Sequence, residues 1–228
     1  TAVFSPAVHQ YSLRVSAGLG RWRNPSPPLG TARLNEVLVD AVGEQSPAAT
    51  VDFLRVQSEL AFPVFGSLQD EPAASSTAPL LDLGVYELHA IPDMFCFDFA
   101  THLRFDLLGP RGPLDADVPP MDEDRMEPSV HWLLGGIPKM QRNLHRSLLA
   151  PLALVLTGPA STRVVLHRVG DTILVEDPAT APPPAAQVTS STFDFLAWST
   201  TRIPWREGTE VNGDTAVAAA FLDELNLI

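Results

Sequence analysis

Three polar side chains recur at every fourth position of the apolar stretch FCFDFATHLRFDLLG, residues 95–109. They are Asp98, His102 and Asp106. On a helix, residues four apart lie on one face about a turn from each other, so Asp98 and His102 can reach a common point. A carboxylate oxygen and an imidazole nitrogen are both ligands of zinc and similar divalent ions. The spacing therefore allows these two side chains to share a metal ion, with a third ligand from elsewhere.

An ordinary surface pair is the alternative interpretation, because an aspartate and a histidine four residues apart also form a hydrogen-bonded pair on any helix. The surrounding sequence favours the metal, since buried charged groups need a partner or an ion. The neighbours of the trio are apolar nearly all round the helix: Met94, Phe95, Phe97, Phe99, Leu103, Phe105, Leu107 and Leu108. Cys96 points away from Asp98 and is interpreted as an inert buried thiol.

Helical patterns dominate the sequence before residue 110. We expect helices at 36–44 and at 50–68, where Val51, Leu54, Leu60 and Phe62 fall near one face. The stretch at 95–109 is a third helix, with Asp93 as its N-cap and Gly109-Pro110 at its end. Antiparallel packing of these helices predicts a small helical bundle in residues 1–115.

A proline-rich and acidic stretch at 110–128 predicts a linker, and the sequence after it has a different pattern. Two β-branched runs at 161–169 and 172–177, separated by Gly170-Asp171, predict a hairpin. Ser191 and Asp214 are predicted to cap two helices, the first running to about residue 202. Residues 125–228 thus form an α+β domain, and the fold class of the whole chain is α+β.

The bulk composition excludes some classes of function. A net charge of −12 repels a phosphate backbone, so no nucleic acid is expected as a partner. The apolar run at 148–156 is far shorter than the ~20 residues that span a bilayer, so no membrane insertion is expected. With no leader pattern at its start and a single cysteine, the chain is expected in the cytoplasm.

The motif at 97–110, FDFATHLRFDLLGP, resembles the metal-binding helix of the mycothiol-dependent maleylpyruvate isomerase family, within the DinB-like group of four-helix metalloproteins. The family helix has Glu-x-x-x-His and an aspartate four residues on. Asp98, His102 and Asp106 fall on these positions, with Asp98 in place of the glutamate. The resemblance implies an N-terminal DinB-like bundle, which is one helix short at its start.

The C-terminal sequence is similar to the second domain of the same family, a small α+β module related to sterol-carrier proteins. Residues 193–222 match its closing pattern of a helix ending in Gly-Arg, a loop and a Gly-Asp before the last helix. Arg202 takes the arginine position, Thr201 stands where glycine is usual, and Gly213-Asp214 match directly. HWLLGGIPKM at 131–140 fits the start of that domain.

The resemblance also implies a set of site residues. Asp98 and His102 would bind a divalent metal, most often zinc, and the family adds a histidine from an earlier helix. His9 is the only histidine before residue 89 and is the candidate; it could equally be a plain histidine, with the true ligand upstream of Thr1. Asp106 would orient His102 within the catalytic set. Arg202 would bind an anionic group of cofactor or substrate, or be a solvated arginine at a helix end.

The implied function is an isomerase or thiol transferase that uses the metal and mycothiol on a small electrophilic substrate. Its partners would be that substrate and the low-molecular-weight thiol. The alternative is a non-catalytic protein that binds a small apolar ligand and has a degenerate metal site. Asp98 in place of glutamate, and the absence of the family's Ala-His-Leu triplet, favour the alternative.

Overall fold

The computed structural model describes residues 46–108, 112–114, 116 and 120–227. The chain divides into two compact units, Thr1–Ile91 and Pro92–Ile228, and each is described by itself. The helix predicted at 36–44 and the candidate ligand His9 lie outside the described residues.

The first unit contains a long helix, α1, at Pro47–Ser67. Ser46 caps it by accepting a hydrogen bond from the Ala49 amide, and Pro47 occupies the first turn, where its missing N–H has no helical partner to lose. The predicted helix is therefore confirmed. The buried face differs from the apolar pattern, because Gln57 and Ala61 are buried while Leu60 and Phe62 are more than half exposed.

A β-hairpin follows α1 and was not predicted. Strands β1, Thr77–Pro79, and β2, Val85–Glu87, pair antiparallel, and the chain then makes a 3-10 turn at Leu88–Ala90. The turn between the strands holds Leu81 and Gly84 at positive φ, so it depends on a backbone conformation that local propensity does not favour for leucine. The helical bundle predicted for residues 1–115 did not include this hairpin, and the DinB-like bundle is not confirmed.

Two helices precede the large sheet of the second unit. Helix α2 spans Ile91–Thr101 and continues as a π-helical segment, His102–Leu107. Asp93 lies in its first turn rather than at its cap, because the helix begins two residues earlier. Helix α3 spans Glu123–Gly136 and is capped by Asp122. The predicted linker is therefore wrong from residue 123 onward: its acidic residues stabilise a helix N-terminus instead of keeping the chain extended.

The second unit is built on a five-stranded sheet in the order β5-β4-β3-β6-β7. The strands are β3, Leu152–Thr157; β4, Thr162–Val169; β5, Thr172–Glu176; β6, Ala186–Ser191; and β7, Glu210–Gly213. Neighbouring strands are antiparallel except for the central pair β3 and β6, which is parallel. The hairpin predicted from 161 to 177 is confirmed as β4 and β5, joined at Gly170, which has φ 60°.

Two short helices complete the unit: α4, Thr192–Ser199, and α5, Thr215–Leu222. Both predicted caps are confirmed, since Ser191 accepts from the Asp194 amide and Asp214 accepts from the amides of Ala216 and Val217. Phe195 and Phe221 from these helices are buried with Leu152 and Val188 of the sheet. The α+β fold class is thus shown. No helix among the described residues has the length and apolarity needed to cross a membrane.

Candidate functional site

The predicted site residues lie where α2 changes from α-helical to π-helical geometry. Asp98 belongs to the α-helical part, whereas His102 and Asp106 belong to the π-helical segment. The amide of Leu108 bonds to the carbonyl of Leu103, five residues back, which is the bond that defines this geometry. All three polar side chains are about one-third exposed, so they lie at the edge of the core and remain accessible to a ligand.

The imidazole of His102 lies between the two carboxylates. Its Nδ1 is 2.5 Å from Oδ2 of Asp106, and its Nε2 is 3.5 Å from Oδ1 of Asp98. A proton on Nδ1 is donated to Asp106, and in the neutral ring this leaves the lone pair on Nε2, on the side of Asp98. The sequence spacing therefore does bring Asp98 and His102 to one point, and Asp106 contacts the opposite nitrogen.

Asp106 in turn receives both hydrogen bonds of an arginine from a distant part of the chain. Arg202 Nε donates to Oδ1 at 2.9 Å and Nη2 donates to Oδ2 at 2.8 Å. Partial burial alone would raise the pKa of Asp106, but the hydrogen bonds and charge of Arg202, together with His102, outweigh burial and hold that pKa below its ordinary value. Asp106 is therefore an anion at neutral pH and a fixed acceptor for His102.

The end of α4 positions Arg202. The Arg202 amide bonds to the carbonyl of Ala197 at 2.8 Å, and the Thr201 amide bonds to that of Trp198 at 3.1 Å. These two hydrogen bonds form a Schellman motif at the C-terminus of the helix. In this motif the first residue beyond the helix cap adopts a left-handed conformation and is usually glycine. Here that residue is Thr201, with φ 58°. A β-branched residue is strained in this conformation, so the backbone that presents Arg202 stores strain.

Aromatic packing holds the π-helical segment against α4. The rings of Phe105 and Phe193 are 4.9 Å apart between centroids and tilted by 45°. Phe105 is buried, and Phe193 sits in the first turn of α4, next to the Ser191 cap. This contact and the Asp106–Arg202 ion pair join residues 102–107 to the sheet-bearing part of the chain. Residues 102–107 and the sheet belong to one compact unit, Pro92–Ile228.

The structure brings together four of the five predicted site residues, Asp98, His102, Asp106 and Arg202. The fifth, His9, lies outside the described residues. Within the described part of the chain, no three histidine, cysteine or acidic side chains are arranged to hold a metal ion. Asp98 and His102 would therefore be two ligands of a metal ion whose third protein ligand is not among the described residues.

Cys96 differs from its interpretation, because its side chain is exposed rather than buried. Its pKa is nevertheless raised, first by partial desolvation and then by the nearby carboxylate of Asp93. The thiol form is thus favoured at neutral pH, and a thiol of raised pKa is a poor nucleophile. Cys96 is therefore not among the proposed site residues.

A second acid–histidine pair with the same spacing lies on α3. His131 Nε2 is 3.9 Å from Oε1 of Glu127, and both side chains are exposed. Sequence reasoning did not single this pair out. It also gave no signal for the pairing of Asp106 with Arg202, because the two residues are 96 positions apart.

Comparisons with known proteins give limited information. No family model matches the sequence, and no curated protein matches it. Among solved structures, the chain is similar to sterol carrier protein 2-like 2 of Aedes aegypti, with a TM-score of 0.32 and 16% identity over 42% of this chain and 91% of that chain. Sterol carrier protein domain 2 of Helicoverpa armigera gives a TM-score of 0.28 and 13% identity over 44% of this chain and 76% of that chain. Similarities of this size do not establish a shared fold.

Proposed function

We propose that this protein is a metal-dependent enzyme that uses mycothiol, as an isomerase or thiol transferase acting on a small electrophilic substrate. The observation that carries the proposal is the placement of His102, with Nδ1 2.5 Å from Asp106 and Nε2 3.5 Å from Asp98. The choice of mycothiol depends on the sequence resemblance alone.

The separation of Asp98 and His102 fits two ligands of one ion. Zinc binds imidazole nitrogen and carboxylate oxygen at about 2.0–2.2 Å, which at a tetrahedral angle places the two donor atoms ~3.4 Å apart. The distance between Asp98 Oδ1 and His102 Nε2 is 3.5 Å. Asp98 and His102 would therefore hold the metal with little rearrangement, and His9 remains the proposed third ligand.

Asp106 and Arg202 would prepare His102 for this role. A metal-binding histidine commonly donates its other ring N–H to a carboxylate, which fixes the tautomer and the ring orientation. Asp106 accepts that hydrogen bond, and Arg202 keeps Asp106 ionised and in place. A bound metal would lower the pKa of a thiol so that the nucleophilic thiolate forms near neutral pH.

The bond between Arg202 and Asp106 limits how Arg202 could bind the anionic ligand that the sequence predicts. Its Nε and Nη2 already donate to Asp106, so a ligand carboxylate would contact Nη1 or displace Asp106. In the first case Arg202 would both position Asp106 and bind the ligand. In the second, ligand binding would release Asp106 from the arginine and weaken its hold on His102.

Metal content tests the proposal without relying on activity. After removal of metals with a chelator and reloading with zinc, the wild type should retain one equivalent per chain. His102→Ala and Asp98→Ala should lose it, whereas His131→Ala should retain it, because His131 has the same spacing from an acid but no second carboxylate on its ring. Equal metal content in His102→Ala and wild type would contradict the proposed site.

The thiol needs a separate measurement. Cobalt-loaded protein titrated with mycothiol should develop the near-ultraviolet absorption of a thiolate bound to cobalt, and an S-methylated mycothiol should give none. If the protein binds one equivalent of metal but this band is absent, the protein is a metalloprotein that does not bind mycothiol at its metal. The proposed thiol chemistry would then be wrong.

One small apolar cavity in the described core bears on the alternative function, binding of an apolar ligand. The apolar cavity between the sheet and α4 and α5, lined in part by Leu154, Phe195 and Phe221, has a volume of about 10 Å³. That volume is about the size of one water molecule, whereas small-molecule sites usually measure ~300–1,000 Å³. Saturable one-to-one binding of a fluorescent fatty acid by metal-free protein would support the alternative and would require this cavity to widen or a different site to bind the ligand.

A further inference from the structure

Charge is distributed unevenly along this acidic chain. Residues 128–170 contain no aspartate or glutamate, although the whole chain has 27 such residues and a net charge of −12. The basic residues of this stretch are Lys139, Arg142, Arg146, Arg163 and Arg168. Residues 128–170 of the second unit therefore carry a net positive charge, although the whole chain is negatively charged.

Three of these arginines come together at one end of the sheet. The 3-10 turn Leu144–Arg146 contacts the turn between β4 and β5, where Nε2 of His145 is 3.7 Å from Oδ1 of Asp171. Nη2 of Arg168 lies 3.7 Å from the same oxygen. Nδ1 of His145 donates to the carbonyl of Arg142 at 3.1 Å, so Arg142 and Arg146 flank this contact.

The arginine side chains face solvent. Arg142 and Arg146 are exposed and form no side-chain ion pair with any described residue. Arg168 donates through Nε to the carbonyl of Gly170 at 2.7 Å, which holds its guanidinium at the tip of the hairpin. Asp171 is almost fully exposed and lies among these contacts, and the exposed Glu224 is near Arg142, because its carbonyl accepts from Nε2 of Gln141 at 2.9 Å. Three arginines against these two acids leave the cluster a positive charge.

Two aliphatic side chains are exposed at the same end of the sheet. Leu149 is 69% exposed and Val169 is 49% exposed. β3 and β4 are antiparallel with Leu152 opposite Leu166, so Leu149, three residues before β3, and Val169, the last residue of β4, are both near the same end of the sheet. Arg142, Arg146, Leu149, Arg168 and Val169 together are called the basic tip below.

We propose that the basic tip docks on the surface of an anionic lipid membrane, without insertion of a helix. Each arginine near an anionic bilayer contributes about a fivefold gain in binding, and exposed aliphatic side chains add affinity by entering the boundary between headgroups and acyl chains. The acidic remainder of the chain is screened beyond a Debye length of about 8–10 Å. This inference is independent of the proposed enzyme function.

A lipid surface fits the basic tip better than an acidic polypeptide. Leu149 lies in the loop before β3 and Val169 is the last residue of β4, and both are exposed. A bilayer would receive them among its acyl chains while its headgroups met the guanidinium groups. An acidic peptide would satisfy the charges but would leave the two aliphatic side chains against polar groups. Poly-glutamate is therefore the competing ligand in the test.

Co-sedimentation of the full chain with vesicles tests the inference. Vesicles of phosphatidylcholine with about 30% phosphatidylserine should bind the protein at low salt and lose it at high salt. Vesicles of pure phosphatidylcholine should not bind it. The double substitution Arg142→Gln and Arg146→Gln should reduce binding at least tenfold, and Leu149→Ser should reduce it a few-fold without changing the salt dependence.

Two further variants sharpen the result. Asp171→Asn removes an acid beside the tip and should strengthen binding, whereas Arg163→Gln removes one positive charge from an exposed arginine near the other end of β4 and should leave binding nearly unchanged. Thermal unfolding of each variant checks that it is folded. Equal binding to both kinds of vesicle, equal losses from Arg163→Gln and the double substitution, or tight binding of poly-glutamate without vesicle binding would each overturn the inference.

Discussion

Two helices of the second unit carry an acid and a histidine four residues apart, and the two pairs are in very different environments. On α2, Asp98 and His102 are 3.5 Å apart and both 30% exposed. On α3, Glu127 and His131 are 3.9 Å apart, with 56% and 62% of their side chains exposed. Glu127 and His131 have the common glutamate but no aspartate four residues on, whereas His102 is followed by Asp106, which contacts its other ring nitrogen.

The difference comes from partners that the spacing does not encode. His102 has a second carboxylate on its other nitrogen, and that carboxylate is fixed by Arg202. Two such constraints leave the imidazole one orientation, whereas an exposed pair exchanges among rotamers at little cost. The spacing of an acid and a histidine thus identifies candidate sites, and long-range contacts distinguish between them.

The largest expected effect concerns the pair Asp106 and Arg202. We expect Arg202→Gln or Asp106→Asn to lower the free energy of unfolding by about 1–2 kcal/mol, because either change leaves a partly buried charged group without its partner. The loss stays below that of a fully buried pair since Asp106 is 38% exposed. Urea denaturation at pH 7, followed by tryptophan fluorescence, measures both single variants and the double variant. Additive effects in this cycle would show that the ion pair contributes nothing to stability.

The same pair should make stability depend on pH in the acid range. The folded-state pKa of Asp106 is held below its ordinary value, so its contribution is complete above the unfolded-state pKa near ~4 and is lost as the pH falls through the folded-state value. The stability difference between the wild type and Arg202→Gln should therefore be constant from about pH 7 to pH 5 and shrink below ~4. A difference that grows on acidification would contradict the assigned direction. Glu127→Gln, which changes a carboxylate outside the site, is the control.

Local signals in the sequence predicted the parts of the fold that form from neighbouring residues. The β4–β5 hairpin follows from two β-branched runs around Gly170, and the helix caps at Ser191 and Asp214 follow from side chains that bond to amides two or three residues on. Asp98 and His102 were found for the same reason, because one helical turn brings them together.

Features that depend on distant residues were not predictable. The central strands β3 and β6 pair in parallel across more than 30 residues, and neither was identified as a strand. The acidic sequence before α3 is ambiguous between a linker and a capped helix. The hydrophobic pattern of α1 did not identify its buried face. Arg202 was a candidate ligand group, but its bond to Asp106 depends on how α4 and the π-helical segment pack together.

A moderate effect on stability is expected at Thr201, the residue before Arg202. Its backbone is strained in the left-handed conformation, whereas no residue of α3 has a positive φ. Thr201→Gly should raise the free energy of unfolding by about 0.5–1 kcal/mol, because glycine adopts the left-handed conformation without strain and loses only part of that gain to greater freedom in the unfolded chain. Thr201→Ala keeps a Cβ and should give a smaller gain. Urea denaturation of both variants measures the order, and a loss of stability in the glycine variant would show that the Thr201 side chain stabilises the turn.

The smallest effect is expected for the exposed pair on α3. A double-mutant cycle of Glu127→Gln and His131→Gln should give a coupling energy of about 0.2–0.5 kcal/mol at most, since the two side chains are well exposed and 3.9 Å apart. Urea denaturation in low and high salt measures it, and salt should remove what coupling there is. A coupling as large as that of Asp106 and Arg202 would mean that helical spacing alone stabilises an acid–histidine pair. In that case the contacts around His102 would no longer distinguish the site from an ordinary surface pair.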